Sequence, residues 1–146
     1  MRLALFQPAI PQNVGACIRL SACFGVELHV IEPTGISFDD RAMKRAALDY
    51  GPLSHMIRHA DWDAFQAGRG PGRLVLFTTK GATPLTEFVF QPDDTLLFGS
   101  ESSGAPEFVH AAADARVVIP IRPDARSLNL SVSAGIGLFE ALRQTG

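Results

Sequence analysis

The 146 residues carry 13 Lys or Arg against 15 Asp or Glu, a formal charge of -2 with a sequence pI near 6.0. This near-neutral balance excludes the strongly basic class of nucleic-acid binders that hold phosphates by bulk charge, while leaving a local basic patch open. The length suits one domain, residues 1–146, and a hydrophobic content of 47% supplies its core without disulfides or a structural metal. Charged residues make up 19%, below the roughly 25% of an average soluble domain, which leans toward a homo-oligomer. Cys17 and Cys23 sit on one expected helix, about 240° apart around its axis, and cannot bridge within it, so reduced thiols are expected. No apolar run approaches the roughly 18 residues of a membrane span. The N-terminal apolar stretch breaks at Gln7 and Pro8, too soon for a signal peptide. A cytoplasmic protein is expected.

In chain order, residues 2–7 (RLALFQ) predict a strand, stopped by Pro8 and Pro11. Asn13 reads as the N-cap of a helix that ends at Gly25. Val14, Cys17, Ile18, Ser21 and Phe24 share one face of it, with Arg19 projecting from the far side. Residues 26–32 (VELHVIE) predict a second strand, and a polar helix follows the Pro33, Thr34, Gly35 turn, starting at Asp39 or Asp40. Residues 53–60 form a candidate short strand, DWDAFQA a short helix capped by Asp61, and GRGPG (68–72) a loop. Three short apolar runs, 73–79, 95–99 and 116–121, have the pattern of strands buried on both faces. A last helix runs from about Leu130 to Gln144. Alternating strands and helices predict an α/β fold, a mostly parallel sheet with helices on both faces. Ligands of such sheets sit beyond the carboxyl ends of the strands.

Three loops lie at those ends: 77–81, 99–106 and 120–131. Together they can build one pocket whose glycines admit a close ligand, or each can be a plain connection. The 99–106 loop lacks the Gly-Lys-Ser/Thr of a phosphate loop and is not a dinucleotide fingerprint. Glu101 within it reads either as a partner for a ligand hydroxyl or amine, or as an ordinary solvated carboxylate. Gly135 and Gly137 sit inside the last helix, where they would permit close packing. His55 and His59 have the spacing of two ligands on a helix but no third, so no metal site is expected. Arg41, Lys44 and Arg45 would share a helix surface, with Arg58, Arg69 and Arg73 elsewhere in the same half. A solvated face is their ordinary reading, and phosphate contacts the alternative if they cluster.

Pro11, Gln12, Asn13, Val14 and Gly15 with Arg19, then FGSESSGAP, then IPIRPDARSLNLS, resemble the three signature motifs of the SPOUT (SpoU) class of RNA 2'-O-methyltransferases. The strings HVIEP, FDDRAMKRAALDY and TTKG are similar to its small single-domain subfamily, which methylates the wobble nucleotide of tRNA. The likeness runs over essentially the whole chain, in order. It implies a C-terminal trefoil knot, an exception to the general rule against knots. It also implies a homodimer with active sites at the subunit interface, the tRNA anticodon stem-loop as substrate, and S-adenosylmethionine as methyl donor. By the same resemblance Phe77, Gly99, Gly104, Ile119, Ser127 and Leu128 would hold the cofactor, and Arg19 and Arg126 would be the catalytic arginines.

Guanidinium stays protonated in proteins, so arginine is a poor literal base. Arg19 and Arg126 are better suited to bind the adjacent phosphate and orient the ribose hydroxyl, with the phosphate available to relay the proton. Asn13, Glu101 and Asn129 would be further positioning groups. The chain departs from the family pattern at Phe139, where some relatives carry Tyr, and at Ala105, where a larger aliphatic residue is common. It also stops at Gly146, without the tail of longer relatives. Two other readings stay open: methylation of another tRNA or rRNA position, and a noncatalytic RNA-binding module on the same scaffold.

Overall fold

The computed structural model describes residues 1–50, 55–80 and 83–146. Leu53 and Ser54 of the expected third strand, and Gly81 of the first loop, lie outside them. The elements are β1 (Arg2–Phe6), α1 (Pro11–Phe24), β2 (Glu27–Ile31), α2 (Arg41–Ala47), β3 (His55–His59) and α3 (Trp62–Gly68). They continue with β4 (Leu74–Phe77), β5 (Thr83–Pro84), β6 (Thr95–Phe98), α4 (Glu107–Ala112), β7 (Ala115–Val118) and α5 (Leu130–Thr145). Among the described residues one seven-stranded sheet has the order β3-β2-β1-β6-β4-β7-β5. Every paired strand in it is parallel.

Strand alternation divides the core between the two faces of the sheet. Leu3, Leu5, Val75, Phe77, Leu96 and Phe98 pack with Val14, Cys17, Leu138 and Ala141 of α1 and α5. Ala4, Phe6, Leu74, Leu76 and Leu97 pack instead with Phe65 of α3 and Val109 of α4. β4 and β6 are buried along their whole length, as their unbroken apolar runs predict.

Local signals account for most boundaries. Gly25 ends α1 in the left-handed conformation (φ 66°), which costs glycine little. The Asp40 carboxylate accepts from the backbone N–H of Ala42 and Met43 to start α2, and Asp61 accepts from Ala64 to start α3. Gly15 allows α1 to lie against α2, because a Cβ there would overlap the Met43 carbonyl and stand 2.8 Å from Ala46 Cβ. Gly137 does the same for α5, where a Cβ would come within 2.7 Å of the Phe77 ring. Gly135 faces open space, so close packing needs only the second glycine of the pair.

Three expectations are corrected. α1 starts at Pro11, with Ile10 at its N-cap and no capping side chain of its own, so Asn13 lies inside the first turn. Phe24 is 43% exposed and meets Phe139 edge-on, at 6.5 Å, instead of entering the core. The third apolar run is a strand only from Ala115 to Val118, which leaves residues 119–121 beyond the sheet. α4 and the two-residue β5 have no counterpart among the elements the sequence predicts. Cys17 is buried and Cys23 exposed, both free. Burial, aided by the Glu101 charge, pushes the Cys17 thiol up to about 12. Among the described residues, no helix is long and apolar enough to cross a membrane.

His59 pairs not with His55 but with His29 on the adjacent strand, Nδ1 of His29 lying 2.8 Å from Nε2 of His59. The rings stack within 7° of parallel against the edge of Phe65. Glu27, which also contacts Arg2, accepts from the other His29 nitrogen at 3.1 Å. Burial lowers both histidine pKa values, and the charge of His29 lowers that of His59 further. The folded chain therefore keeps both rings neutral where the unfolded chain takes up protons, below about pH 6.5. Stability should be full above that pH and fall as pH drops toward the folded values. Thermal melts between about pH 7.5 and 5.5 should show the decline, and its slope should flatten in the variant combining His29→Gln and His59→Gln.

Candidate active site

The carboxyl ends of β4, β6 and β7 open into a cleft of about 570 Å³, within the range of small-ligand sites. Its walls include the expected residues Asn13, Phe77, Gly99, Glu101, Gly104, Ile119, Arg126, Ser127, Leu128 and Asn129. All three loops picked out in the sequence thus meet in one pocket. Ile10 and His110 line it too. Neither carried a sequence signal, since Ile10 reads as an interruption between prolines and His110 lies on the unrecognised α4.

The 99–106 loop is closed on itself. Ser100 N–H donates to the Gly104 carbonyl at 3.1 Å and Gly104 N–H to the Ser100 carbonyl at 2.9 Å. A Cβ on Gly99 would lie 2.5 Å from the Gly104 carbonyl carbon, so glycine is what permits this closure. Glu101 is then aimed at the start of α1. Its carboxylate accepts from Ala9 N–H and Ile10 N–H, each at 2.8 Å, and from Asn13 Nδ2 at 3.1 Å. Burial alone would raise its pKa, but these donors hold it below the usual carboxylate value. Glu101 is therefore not a freely solvated loop carboxylate. It fixes the chain as it enters the helix, binding the N–H groups of Ala9 and of the N-cap residue Ile10, beside the positive end of a 14-residue helix.

Asn13 passes this connection onward. With its amide nitrogen committed to Glu101, its oxygen accepts from Asn129 Nδ2 at 3.1 Å. The Asn129 oxygen in turn accepts from Ser131 N–H at 2.9 Å and Val132 N–H at 3.2 Å, capping α5. Every amide in this relay has one consistent orientation, because the carboxylate at one end demands donors and the helix cap at the other demands an acceptor.

Phe77 forms an apolar wall, stacked on Phe98 at 4.6 Å and held from behind by Gly137. Arg126 is exposed at the rim and makes no hydrogen bond or ion pair among the described residues. Arg19 is not among the residues lining this cleft. It is exposed on α1, with its guanidinium carbon 5.4 Å from the centre of the Tyr50 ring. Among the described residues, no cluster of three or more His, Cys, Asp or Glu side chains is placed to hold a metal ion.

An open parallel sheet with a polar, glycine-walled cleft at its carboxyl edge defines a small-ligand-binding α/β protein. A model of the SpoU rRNA Methylase family matches residues 1–139, and the chain belongs to that family. It is 54% identical to a tRNA (cytidine(34)-2'-O)-methyltransferase of Beijerinckia indica, with 99% of this chain and 91% of that protein covered. A solved structure described as giving structural insights into the 2-OH methylation of C/U34 on tRNA superposes with a TM-score of 0.92 at 41% identity, covering 98% of this chain and 94% of that one. An AdoMet-bound rRNA methyltransferase from Sinorhizobium meliloti superposes with a TM-score of 0.87 at 28% identity, covering 97% of this chain and 55% of that one.

Glu101→Gln keeps the side chain's size but turns an NH₂ group toward N–H donors. It should cost about 1–3 kcal/mol of unfolding free energy in urea denaturation. An unchanged midpoint would mean that the carboxylate does not secure the start of α1.

Proposed function

We propose that this protein transfers a methyl group from S-adenosylmethionine to the ribose 2'-hydroxyl of the wobble pyrimidine, position 34, of tRNA. The observation that carries this reading is one cleft that collects ten of the eleven expected site residues at the carboxyl edge of the sheet. Likeness to methyltransferases of cytidine 34 and to the C/U34 structure selects the nucleotide. The AdoMet-bound relative supports the cofactor.

The cleft fits such a cofactor. Phe77, Ile119 and Leu128 offer apolar surface for a purine ring, while Gly99 and Gly104 add wall without side chains. Ser127 adds a hydroxyl at the same wall. Bound there, S-adenosylmethionine supplies an electrophilic methyl carbon carried on a sulfonium sulfur. The chain's own residues must bring the hydroxyl into line and assist loss of its proton. Arg126, without a protein acceptor among the described residues, binds the phosphate next to the target ribose, orients the hydroxyl and leaves that phosphate free to accept its proton. Its guanidinium remains charged throughout. Asn13, Glu101 and Asn129 act by fixing the loops around this geometry.

A homodimer completes the site. Val132, Ile136 and Phe139 form an exposed apolar stripe on α5, beginning beside the cleft residue Leu128 and joined by Phe24 of α1. A second copy covering this stripe would bring its own Arg19 to the cleft, supplying the arginine missing from the walls within one chain. Residues 1–146 act as one cytoplasmic domain with no resident metal. The C-terminal segment is threaded as a trefoil knot. The strand order, with β4 between β6 and β7, and the bonds of Gln144 on α5 to the backbone of Phe88 and Phe90, in the connection before β6, are compatible with that threading.

Nucleoside mass spectrometry of unmodified tRNA incubated with the protein tests the reading. The expected result is 2'-O-methylcytidine or 2'-O-methyluridine at position 34, only when S-adenosylmethionine is present. Arg126→Ala should lower turnover by about 10- to 100-fold, the equivalent of one charged hydrogen bond, with cofactor affinity largely intact. Methylation at another nucleotide, or unchanged turnover in the variant, would refute the substrate and the arginine's role respectively.

A further inference from the structure

Six basic side chains of the first half were open candidates for phosphate contacts, and their surroundings separate them into two groups. Arg58 donates to Glu32 at 3.0 Å and lies over the Phe38 ring at 3.9 Å. Arg69 donates to Gln66 and to the Gly72 carbonyl. Arg73 grips both oxygens of the buried Asp94, at 2.9 and 2.7 Å. These three hold the fold. On α2, by contrast, Arg41 and Arg45 make no hydrogen bond or ion pair among the described residues, and both are exposed. Lys44 has only a 3.5 Å pair with Asp39, each side chain more than half exposed.

We propose that the outward face of α2 is a phosphate-binding track for the RNA substrate, continued by Arg19. The inference rests on the reading that the substrate is RNA. Arg41, Lys44 and Arg45 stand at positions i, i+3 and i+4, adjacent on the helix surface. They lie away from Met43 and Ala47, which are buried. The track reaches α1 because the two helices are locked together. Gly15 sits against Met43 and Ala46, and one turn further along α1 Arg19 meets Tyr50, just past the end of α2. Tyr50 holds the guanidinium by its ring face, so the N–H donors of Arg19 have no acceptor among the described residues.

The neighbouring carboxylates offset this strip only in part. Asp40 is engaged in capping α2, Asp39 faces Lys44 alone, and Asp49 stands exposed at the turn beyond the helix. Four cations lie along one surface of a chain whose net charge is -2. The strip is shallow and solvated, with no buried polar group to select a single small anion. Its chemistry suits a polyanion, bound by many weak phosphate contacts and the release of condensed counterions.

The test is tRNA binding, followed by fluorescence anisotropy of a labelled unmodified transcript between about 50 and 200 mM salt. In the variant combining Arg41→Gln, Lys44→Gln and Arg45→Gln, the slope of log affinity against log salt should shrink by about 2 to 3, roughly 0.7–0.9 for each lost contact. Each single variant should lose about one such step, which keeps the test intact if the triple variant folds poorly. Affinity for S-adenosylmethionine should be unchanged. Arg116→Gln, removing an exposed cation on β7, gives the slope loss expected of net charge alone. The proposal is overturned if the α2 variants lose no more slope per charge than Arg116→Gln does, or if the unaltered protein binds no tRNA. Wobble methylation that persists with an unchanged slope sinks the track and leaves the enzyme reading; methylation elsewhere with a reduced slope does the reverse.

Discussion

The site depends on one carboxylate placed at the start of a helix that has no capping side chain of its own. Three donors converge on Glu101, two of them backbone N–H groups preceding α1. Hydrogen bonds to a charged acceptor are stronger than neutral ones, and the positive end of the helix macrodipole adds to their effect. Through Asn13 the same network reaches Asn129, which begins α5. The connections after β1, β6 and β7 are therefore coupled, so none can shift without breaking a bond to another. A cleft built this way is formed before its ligands arrive, which spares part of the entropy that ordering three loops would cost at the moment of binding.

Packing beneath the cleft reinforces that coupling. Phe77 has Phe98 stacked on one side and the bare Cα of Gly137 behind it. Ring and helix approach closely only because α5 carries no side chain there. A substituent at Gly137 would push Phe77 out of place in the cleft wall, so a residue buried on the helix helps to set the width of a surface pocket. The His29 and His59 pair lies on the other face of the sheet, beside Phe65, and its protonation acts on global stability rather than on the cleft.

Much of this was legible locally. Unbroken apolar runs announced β4 and β6, Asp61 announced α3, and Gly25 announced the end of α1, because each signal lies within a few residues of the element it governs. The three ordered motifs also brought the pocket loops into view before their contacts were known. What failed to read out was nonlocal. Asn13 has the residue type of an N-cap, yet its side chain binds Glu101, 88 residues further along, and the helix begins two residues before it. α4 has six residues, too few to display helical periodicity, and its one buried side chain, Val109, faces a core built from distant strands. Phe24 follows the buried face in spacing, yet the helix outlasts the core beneath it and the ring meets Phe139 at the surface.

Arg19 shows the limit of face patterns in its most consequential form. The helical wheel correctly put its side chain outside the core, but a wheel says nothing of what lies beyond that side. Here it is Tyr50 and the end of α2, a helix brought close by the absence of a side chain at Gly15. The cleft holds Arg126 without Arg19, whereas the exposed apolar side chains Val132, Ile136 and Phe139 of α5 follow Leu128, which is on the cleft's own wall. An apolar face normally seeks cover. In the proposed homodimer a second copy would cover this face and bring its own Arg19 to the cleft. The cations divide accordingly: those engaged with Glu32, Gln66 and Asp94 hold the fold, whereas Arg19, Arg41, Arg45 and Arg126 make no hydrogen bond or ion pair among the described residues and are the ones the proposed RNA contacts would use.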